Sequence, residues 1–519
     1  MAQRPGRDSA ENRGQGLSTH IAARVRSVRE QLGTSRCIFD WFAALHTVLG
    51  FHQIASDHLA REDDIAQASA RLRLDYGASL TQSLTEDFPQ APQPLLDAIT
   101  SNLIELETQA QAAAVEPDTV IALLGTLTAI DSVFSGLGFR ATSSGANEIL
   151  AESRARLETD GNLVSTPATW GLVIPSAAPW SVSEGLPRLL HGLCHIPVLD
   201  DTAVRYRRVA TGHPIRPSLG TPLAVGFIAL VQNSGELAWA FRRNAGGVPV
   251  YSVVPHPAHI TTLINRLTRS MDILADHADL IVLPELVACD EIVAAMTTWL
   301  QRRSRQDNAR LPAAVLIGSQ WQASTGTSPA RNRSRLLVGQ LGHVLEQYKL
   351  NPYTMLKGHH GPLNLPGADP NVDYLEDISG HPPIVELVDI AGLGRIAVQI
   401  CEDLNSNIPW DSVLRHAGLQ LLLCPVMNGP QPNQWDWILR AGIQRANSVG
   451  ASMIVVNSGT MIPGNARAVD LFARGYAPRR SSHPPGFHLV PGQTWDVDND
   501  GLEDCWVLRG SDPHLTPMS

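Results

Sequence analysis

The sequence predicts an α/β sandwich in the C-terminal half of the chain, preceded by an all-α N-terminal domain. The length of 519 residues exceeds the size at which a single hydrophobic core usually stops growing, so two domains are expected. Apolar residues keep a helical spacing up to about residue 157, whereas short apolar strands alternate with helices after about residue 217. The content of 44% hydrophobic and 17% charged residues is typical of folded globular proteins.

The N-terminal domain is predicted over residues 17–164, behind a polar tail, residues 1–16, that we expect to be disordered. Pro117 and Gly136 stand where helices commonly begin and end. Two apolar stripes have the spacing of a buried helix face: Leu96, Ile99, Leu103 and Leu106, then Val120, Leu123, Leu127, Ile130 and Phe134.

Residues 165–216 contain repeated prolines and are predicted to be a connector. The α/β domain is predicted over residues 217–500 and a C-terminal tail over 501–519. An apolar stripe predicts a helix between Ile260 and Leu274. Apolar runs predict strands at 223–232, 280–283, 314–318, 336–339, 344–348, 396–400, 420–424 and 453–456. This alternation favours helices packed on buried sheets.

Charge and cysteine usage exclude several classes of function. A net charge of -10 gives no electrostatic reason to expect a nucleic-acid or anionic-membrane partner. The 6 cysteines form no CxxC pair, which disfavours a zinc site and a disulfide framework, and we expect no metal and no cofactor. No apolar run approaches the roughly 20 residues of a membrane span, and the N-terminus lacks the apolar core of a signal peptide. A cytoplasmic location is therefore expected.

Three predicted strands end in reactive side chains. Glu285 follows the run that begins at Leu280, Lys349 follows Tyr348, and Cys401 follows Ile400. Side chains at the rim of a buried sheet can be enclosed by loops, where low polarity shifts pKa values. Each residue alone is a weak signal, because a free cysteine is often only a small buried apolar residue.

The order Glu, Lys, Cys and the sequence around each residue resemble the nitrilase (carbon-nitrogen hydrolase) superfamily. The matching segments are 278–285 (ADLIVLPE), 394–403 (GRIAVQICED) and 417–425 (AGLQLLLCP). Downstream, Arg445 and Asn457 stand 12 residues apart, as the corresponding residues do in the family. The resemblance covers about residues 223–459 and does not extend to the N-terminal half.

The resemblance implies a four-layer α-β-β-α sandwich and a site without a cofactor. It assigns Cys401 as the nucleophile and Glu285 as the base that takes its proton. Lys349 and the backbone N–H of Glu402 would stabilise the oxyanion of the tetrahedral intermediate. The positive charge of Lys349 would also favour the thiolate.

The sequence departs from the family pattern in three places. The segment from Gly342 to Lys349 is one residue shorter than usual, and one residue reverses the face of a strand, so Lys357 is a fallback lysine. The second acid of many members has no match at its usual place, and Glu376 is the nearest candidate. The segment from Lys349 to Cys401 is longer than usual, and its stretch at 359–362 is predicted to form a lid or a wall of the substrate pocket.

The function implied is a thiol hydrolase that cleaves a non-peptide C–N bond, an amide in preference to a nitrile. A glutamine-amidase-like ammonia supplier and an acyl transferase using the same thioester remain alternatives, and the triplet Cys401-Glu402-Asp403 resembles that of glutamine-amidase domains. An alternative of another class is a catalytically silent scaffold whose helical domain binds a protein partner. Because family members commonly pair, a homodimer or higher oligomer is expected.

Two further patterns are interpreted as structural. Residues 496–504 resemble a calcium loop, but the twelfth position is Val507 where such loops carry Glu, so an acidic turn is favoured. His46, His52 and His58 fall on different faces of a helix, and His191 and His195 have no nearby acid to complete a zinc motif. No metal is expected at either set.

Overall fold

The computed structural model divides into two compact units. The first comprises Met1–Leu199 with His416–Gly418, and the second comprises Asp200–Arg415 with Leu419–Ser519. The division at Leu199 lies inside the predicted connector. The structure describes residues 8–33, 35–50, 61–83, 90–134, 172–176, 190, 192–197, 202–209, 223–306, 309–325, 329–357, 365, 367–378, 383–390, 393–428, 435–458, 473–476, 489–495 and 505–510.

The described part of the first unit is mainly helical. Its helices are α1 (Asp8–Leu32), α2 (Ile38–Gly50), α3 (Glu62–Ser83), α4 (Gln93–Gln111) and α5 (Pro117–Val133). Both predicted apolar stripes are buried in one hydrophobic core on α4 and α5. Pro117 is the first residue of α5, as predicted, because a first-turn N–H has no partner within the helix and proline lacks one. Gly136 lies outside the described residues.

Three segments differ from the expectation drawn from the sequence. The predicted C-terminal tail 501–519 contains a strand, Cys505–Gly510, that pairs antiparallel with the strand Ala224–Ile228. Helix α1 begins at Asp8, inside the segment expected to be a tail. The predicted connector contains three strands, β1 (Leu172–Pro175), β2 (Leu193–Ile196) and β3 (Ala203–Val209). β1 and β2 pair antiparallel in the first unit, whereas β3 pairs parallel with a strand of the second unit. Such short strands separated by prolines carry too few residues to show an alternating pattern.

The described residues of the second unit form three sheets. Its further strands are β4 (Ala224–Ile228), β5 (Leu237–Arg243), β6 (Pro249–Pro255), β7 (Leu280–Val282), β8 (Ala314–Gln322), β9 (Arg331–Val338), β10 (Gly342–Tyr348), β11 (Thr354–Met355), β12 (Tyr374–Glu376), β13 (Ile384–Ile390), β14 (Gly394–Val398), β15 (Leu421–Val426), β16 (Ser452–Asn457), β17 (Ala473–Tyr476), β18 (Leu489–Trp495) and β19 (Cys505–Gly510). Its helices are α6 (Ile260–Leu274), α7 (Asp290–Ser304), α8 (Trp410–Leu414) and α9 (Trp435–Val449).

The strand order places Glu285 and Lys349 after strands of one sheet and Cys401 after a strand of another. One sheet runs β10-β9-β8-β7-β4-β19-β18, another runs β17-β16-β15-β14-β13-β3, and a smaller one runs β11-β12-β6-β5. In each of the two larger sheets, the three central strands pair in parallel; these strands are β4, β7 and β8 in one sheet and β14, β15 and β16 in the other. Burial of β4, β7, β14, β15 and β16 explains their continuous apolar runs.

Among the described residues, none of the helices has the length and apolar character that crossing a membrane requires.

Candidate active site

Glu285 lies in the loop that follows β7 and is 2% exposed. Its Oε1 accepts hydrogen bonds from Lys349 Nζ at 2.8 Å and from Asn332 Nδ2 at 3.1 Å. Its Oε2 accepts the backbone N–H of Met427 at 3.0 Å. The next residue, Leu286, has a φ of 59°, a left-handed conformation that turns the chain sharply after the carboxylate.

Lys349 follows β10, and its ammonium group is buried between two carboxylates. Nζ donates to Glu285 Oε1 at 2.8 Å and also to Glu376 Oε2. A β-bulge between His343 and Leu345 shifts the pairing of β10 with β9 by one residue, so the alternation of side chains along β10 changes there. The bulge offers a physical reason why a segment one residue short still directs Lys349 inward.

Lys357, the fallback lysine, does not join this group. Its side chain is exposed, and its backbone N–H donates to Asp373 Oδ1 at 2.7 Å. Of the two candidate lysines, the structure therefore brings Lys349 to Glu285.

Glu376 is the last residue of β12 and is 1% exposed. β12 lies parallel to β6 in the smaller sheet, with Glu376 opposite Tyr251. Its carboxylate accepts hydrogen bonds from Lys349 Nζ, from Asn332 Nδ2 at 2.9 Å and from the backbone N–H of Tyr353 at 3.1 Å. The residue named from sequence only as the nearest second acid thus lies beside Lys349.

Cys401 begins a short 3-10 helix, Cys401–Leu404, after β14. Its φ of 49° is left-handed, which is strained for a residue with a side chain and is typical of functional turns. The thiol is 5% exposed and lies close enough to the Glu285 carboxyl for each group to affect the pKa of the other. The nucleophile candidate therefore lies beside the base candidate.

Burial and charge both shape the proton affinities of these groups. Burial and the negative charge of Glu285 raise the pKa of the Cys401 thiol well above its usual value, against the opposing effect of Lys349. Burial also raises the pKa of the Glu285 carboxyl, although Lys349 opposes this. For Lys349 burial lowers the pKa, but Glu285 and Glu376 outweigh it and the pKa is raised. The net upward shift favours the thiol over the thiolate, and the charge of Lys349 acts in the opposite direction, toward the thiolate.

Residues that follow Cys401 fix the loop around it. The buried carboxylate of Asp403 accepts the backbone N–H groups of Leu350 at 3.1 Å and Asn351 at 2.9 Å, which ties the nucleophile turn to the chain after Lys349. Arg445 Nη2 donates to the carbonyl oxygens of Leu404 at 3.2 Å and Ser406 at 2.6 Å. These contacts hold the backbone that carries the sulfur.

Glu402 lies at the edge of the site. Its side chain is half-buried and accepts a weak hydrogen bond from Asn405 Nδ2 at 3.4 Å. Burial raises the pKa of the Glu402 carboxyl, and Lys349 and Glu376 are near enough to influence it. Tyr353 is also nearby, and burial together with Cys401 and Glu402 raises its pKa to about 12.

Two buried residues of the site were missed in the sequence. Asn332 on β9 donates to both carboxylates. Tyr251 on β6 is 4% exposed, and burial together with the charges of Glu376 and Glu285 raises the pKa of its hydroxyl, against the opposing charge of Lys349. The signal for Asn332 was present: Arg331, Arg333 and Arg335 alternate with it, so it falls on the opposite, buried face of the strand.

Several predicted features lie outside the described residues: the segment 359–362, the acidic turn at 496–504, and His52, His58 and His191. His195 lies on β2, so helical spacing does not apply to it, and its Nδ1 is 3.0 Å from Nδ1 of His46. In the described part of the chain, no group of three or more His, Cys, Asp or Glu side chains is arranged to hold a metal ion.

Comparisons with known proteins give structural likeness only. No protein-family model matches the sequence, and no curated protein matches it. An amidase from Nesterenkonia sp. is 13% identical, with 58% of this chain and 95% of that chain covered at a TM-score of 0.35. A variant of the Nesterenkonia AN1 amidase, described as belonging to the nitrilase superfamily, is 12% identical, with 57% and 94% covered at a TM-score of 0.34.

A variant of the amidase from Nesterenkonia sp. AN1 in complex with butyramide is 13% identical, with 57% and 94% of the two chains covered at a TM-score of 0.34. In structure, this chain is similar to amidases of the nitrilase superfamily.

Proposed function

We propose that this chain is a thiol hydrolase that cleaves a non-peptide C–N bond, an amide in preference to a nitrile. The observation that supports this best is the buried Glu285 carboxylate, which accepts a hydrogen bond from Lys349 Nζ at 2.8 Å and lies close enough to the Cys401 thiol for each to affect the pKa of the other. A buried acid, a fixed cation and a thiol on a strained turn are what acyl transfer to sulfur requires.

In the first half-reaction, the Glu285 carboxylate removes the Sγ proton while Sγ bonds to the amide carbon. The C=O electron pair moves onto oxygen, and Lys349 Nζ with the backbone N–H of Glu402 stabilises this oxyanion. The oxyanion then re-forms the carbonyl and the C–N bond breaks as Glu285 gives its proton to the leaving nitrogen. The products are ammonia or an amine and a Cys401 thioester.

In the second half-reaction, water takes the place of the leaving amine. Glu285 removes a proton from the water, the oxygen attacks the thioester carbon, and the same donors hold the oxyanion. The C–S bond breaks and the proton returns to sulfur. The products are a carboxylic acid and the free thiol.

Glu376 is proposed to act on Lys349 and not on the substrate. Two carboxylates and one ammonium leave a site with one net negative charge, and proton transfer from Cys401 to Glu285 leaves that total unchanged. Because Glu376 and Glu285 both raise the pKa of Lys349, the cation stays charged throughout. An oxyanion then meets a positive charge that does not need to be created during the reaction.

We also propose three further features that the resemblance implies. These are a four-layer α-β-β-α arrangement of the second unit, an oligomer formed by identical chains, and a reducing compartment such as the cytoplasm. Crosslinking and light scattering of the purified chain test the oligomer, and a monomer at micromolar concentration would contradict it.

The experiment that tests the function is ammonia release from a panel of small amides and nitriles. Wild type should release ammonia from at least one amide, and Cys401→Ala should abolish it. Cys289→Ala is the matched control, because Cys289 is a half-buried free cysteine outside the site. No release from any amide, or equal release by Cys401→Ala, would refute the proposal. Product that appears only when hydroxylamine or a protein partner is added would favour an acyl transferase or an ammonia supplier instead.

A further inference from the structure

Asn332 contacts three members of the site at once. Its Nδ2 donates to Glu285 Oε1 at 3.1 Å and to Glu376 Oε1 at 2.9 Å. Its carbonyl oxygen accepts the backbone N–H of Lys349 at 2.8 Å. One fully buried residue of β9 thus joins both carboxylates and the chain that carries the ammonium.

The amide orientation of Asn332 follows from these partners. Turning the amide over would direct Oδ1 at two carboxylate oxygens, which are acceptors only, whereas Nδ2 carries two hydrogens and can serve both. Oδ1 is buried and has no hydrogen-bond partner among the described residues. A side chain that leaves one buried oxygen unpaired while using both hydrogens on carboxylates is suited to act as a donor.

We propose that Asn332 is a positioning residue that holds Glu285 and Glu376 as a pair of carboxylates around Lys349, and that it makes Glu285 Oε2 the oxygen that carries the proton. The proposal extends the function proposed above to the choice of the proton-accepting atom. It concerns the reactivity of Cys401 and therefore does not require that the substrate be known.

The assignment of Oε2 follows from the donors that surround each oxygen. Oε1 already faces two donors, Lys349 Nζ and Asn332 Nδ2, so a proton placed on it would point toward other hydrogens. Oε2 accepts the N–H of Met427 at 3.0 Å, and the backbone of Met427 is also close enough to Cys401 to affect the pKa of its thiol. Oε2 therefore lies on the side of the sulfur, where a proton can pass between Sγ and the carboxylate.

Losing the Asn332 donor should make both carboxylates easier to protonate, because a hydrogen bond to the charged form favours that form. The other ionisable groups that face Glu285 stay in place in such a variant. They are Lys349 after β10, Glu376 on β12, Cys401 after β14, Cys424 on β15, Tyr251 on β6 and Tyr353 before β11. A change in the pH dependence would therefore report the missing amide.

The test is the rate of iodoacetamide alkylation of Cys401 between pH 5 and 9, followed by peptide mass spectrometry. Wild type should show a rate that falls on the acidic side as Glu285 takes up a proton. In Asn332→Ala that acidic limb should move upward by about one pH unit, and the plateau rate should fall about tenfold. In Asn332→Asp, which keeps the shape and adds a like charge, the limb should move further in the same direction.

Gln347→Ala is the matched control. Gln347 is a fully buried amide on β10 whose Nε2 donates to the carbonyl oxygen of Ile384 at 2.8 Å and whose Oε1 accepts the N–H of Glu386 at 3.0 Å. It touches backbone and not the site carboxylates, so it should lower thermal stability and leave the acidic limb in place.

An Asn332→Ala profile with an unshifted acidic limb would overturn the proposal, and so would an equal shift in Gln347→Ala. If Asn332→Ala does not fold, the same comparison is made with Asn332→Ser, whose single hydroxyl hydrogen should give an intermediate shift. Absence of ammonia release in wild type would refute the proposed hydrolysis. The alkylation profiles would still test the role of Asn332, because they do not depend on turnover of an amide.

Discussion

The Nζ atom of Lys349 lies 2.8 Å from Oε1 of Glu285, and neither side chain is more than 2% exposed. A buried ion pair of this kind costs desolvation energy that the protein recovers only if every partner is present. The second carboxylate, Glu376, and the Asn332 amide complete that set of partners. The arrangement is costly to maintain, which favours a role beyond stability.

Replacing Lys349 by Met should destabilise the fold. Two buried carboxylates would lose their cation, and breaking a buried pair in this way typically costs about 3–5 kcal/mol. Chemical denaturation at pH 7 measures the loss. Lys357→Met is the control, because Lys357 is exposed, and it should change the unfolding free energy by less than about 0.5 kcal/mol.

The destabilisation of Lys349→Met should shrink as the pH falls. Burial already raises the pKa of the Glu285 carboxyl, and without Lys349 the largest opposing influence is lost, so the group takes up a proton at higher pH. A neutral carboxyl no longer needs the cation. A loss of stability that is unchanged between pH 7 and pH 5 would contradict this account of the pair.

Replacing Glu285 by Gln should remove the activation of Cys401. The thiol has a raised pKa and depends on a base, so both amide turnover and alkylation should fall by about 10²–10⁴-fold. Iodoacetamide labelling followed in time checks this, with Cys289 as the internal reference, because burial and the neighbouring Glu291 carboxylate raise the pKa of that thiol to about 11. Equal rates at Cys401 and Cys289 in wild type would contradict the proposed activation.

The pH profile of turnover should show an acidic limb above pH 4.5, the ordinary pKa of a glutamate carboxyl. Burial is the largest cause of the raised pKa of Glu285. Because protonation of Glu285 removes the base, kcat/KM should fall as the pH falls through the raised pKa of this carboxyl. A profile that stays flat down to pH 4.5 would show that this carboxyl is not the base.

Gly318→Ala should damage the site from the neighbouring strand. Gly318 has a φ of 69°, and an added Cβ would overlap the carbonyl oxygen of Pro284, the residue before Glu285. We expect turnover to fall at least about tenfold and stability to fall by more than the roughly 1–2 kcal/mol of left-handed strain. Gly247→Ala separates the two effects, because Gly247 has a φ of 76° and nothing within 4 Å of the new atom.

If Gly318→Ala and Gly247→Ala lose the same stability and both keep full turnover, the close approach of β8 to the Glu285 loop has no functional consequence. Thermal denaturation and ammonia release on both variants decide between these outcomes.

Local sequence signals predicted the parts of the site that depend on single strands. The apolar runs before Glu285, Lys349 and Cys401 are long enough to mark buried strands, and the residue after each run lies at the rim. The helix between Ile260 and Leu274 was predicted for the same reason and is α6. Burial of one face of a helix or strand produces a periodic apolar pattern in the sequence. Burial of both faces of a strand produces a continuous apolar run.

The parts that depend on distant pairing were not predicted with the same detail. β12 has three residues and is held in place by β6, more than 100 residues earlier, so nothing around Glu376 marks it as a partner of Lys349. The bulge in β10 that accompanies the inward Lys349 also lies in the pairing with β9 and not in a motif. β3, in a segment predicted as a connector, owes its strand form to β13. Short strands are specified by their neighbours more than by their own residues.

We propose that Cys401 forms a thioester during the reaction. Mixing the protein with p-nitrophenyl acetate, quenching with acid and analysing the peptides by mass spectrometry detects this thioester directly. Because p-nitrophenyl acetate carries a good leaving group, acylation of the sulfur is faster than hydrolysis of the thioester, and the acyl-enzyme accumulates. We expect one acetyl group on the peptide that contains Cys401. This acetylation should be abolished in Cys401→Ala and strongly reduced in Glu285→Gln. Acetyl groups spread equally over Cys401 and Cys289, or none on Cys401, would contradict it.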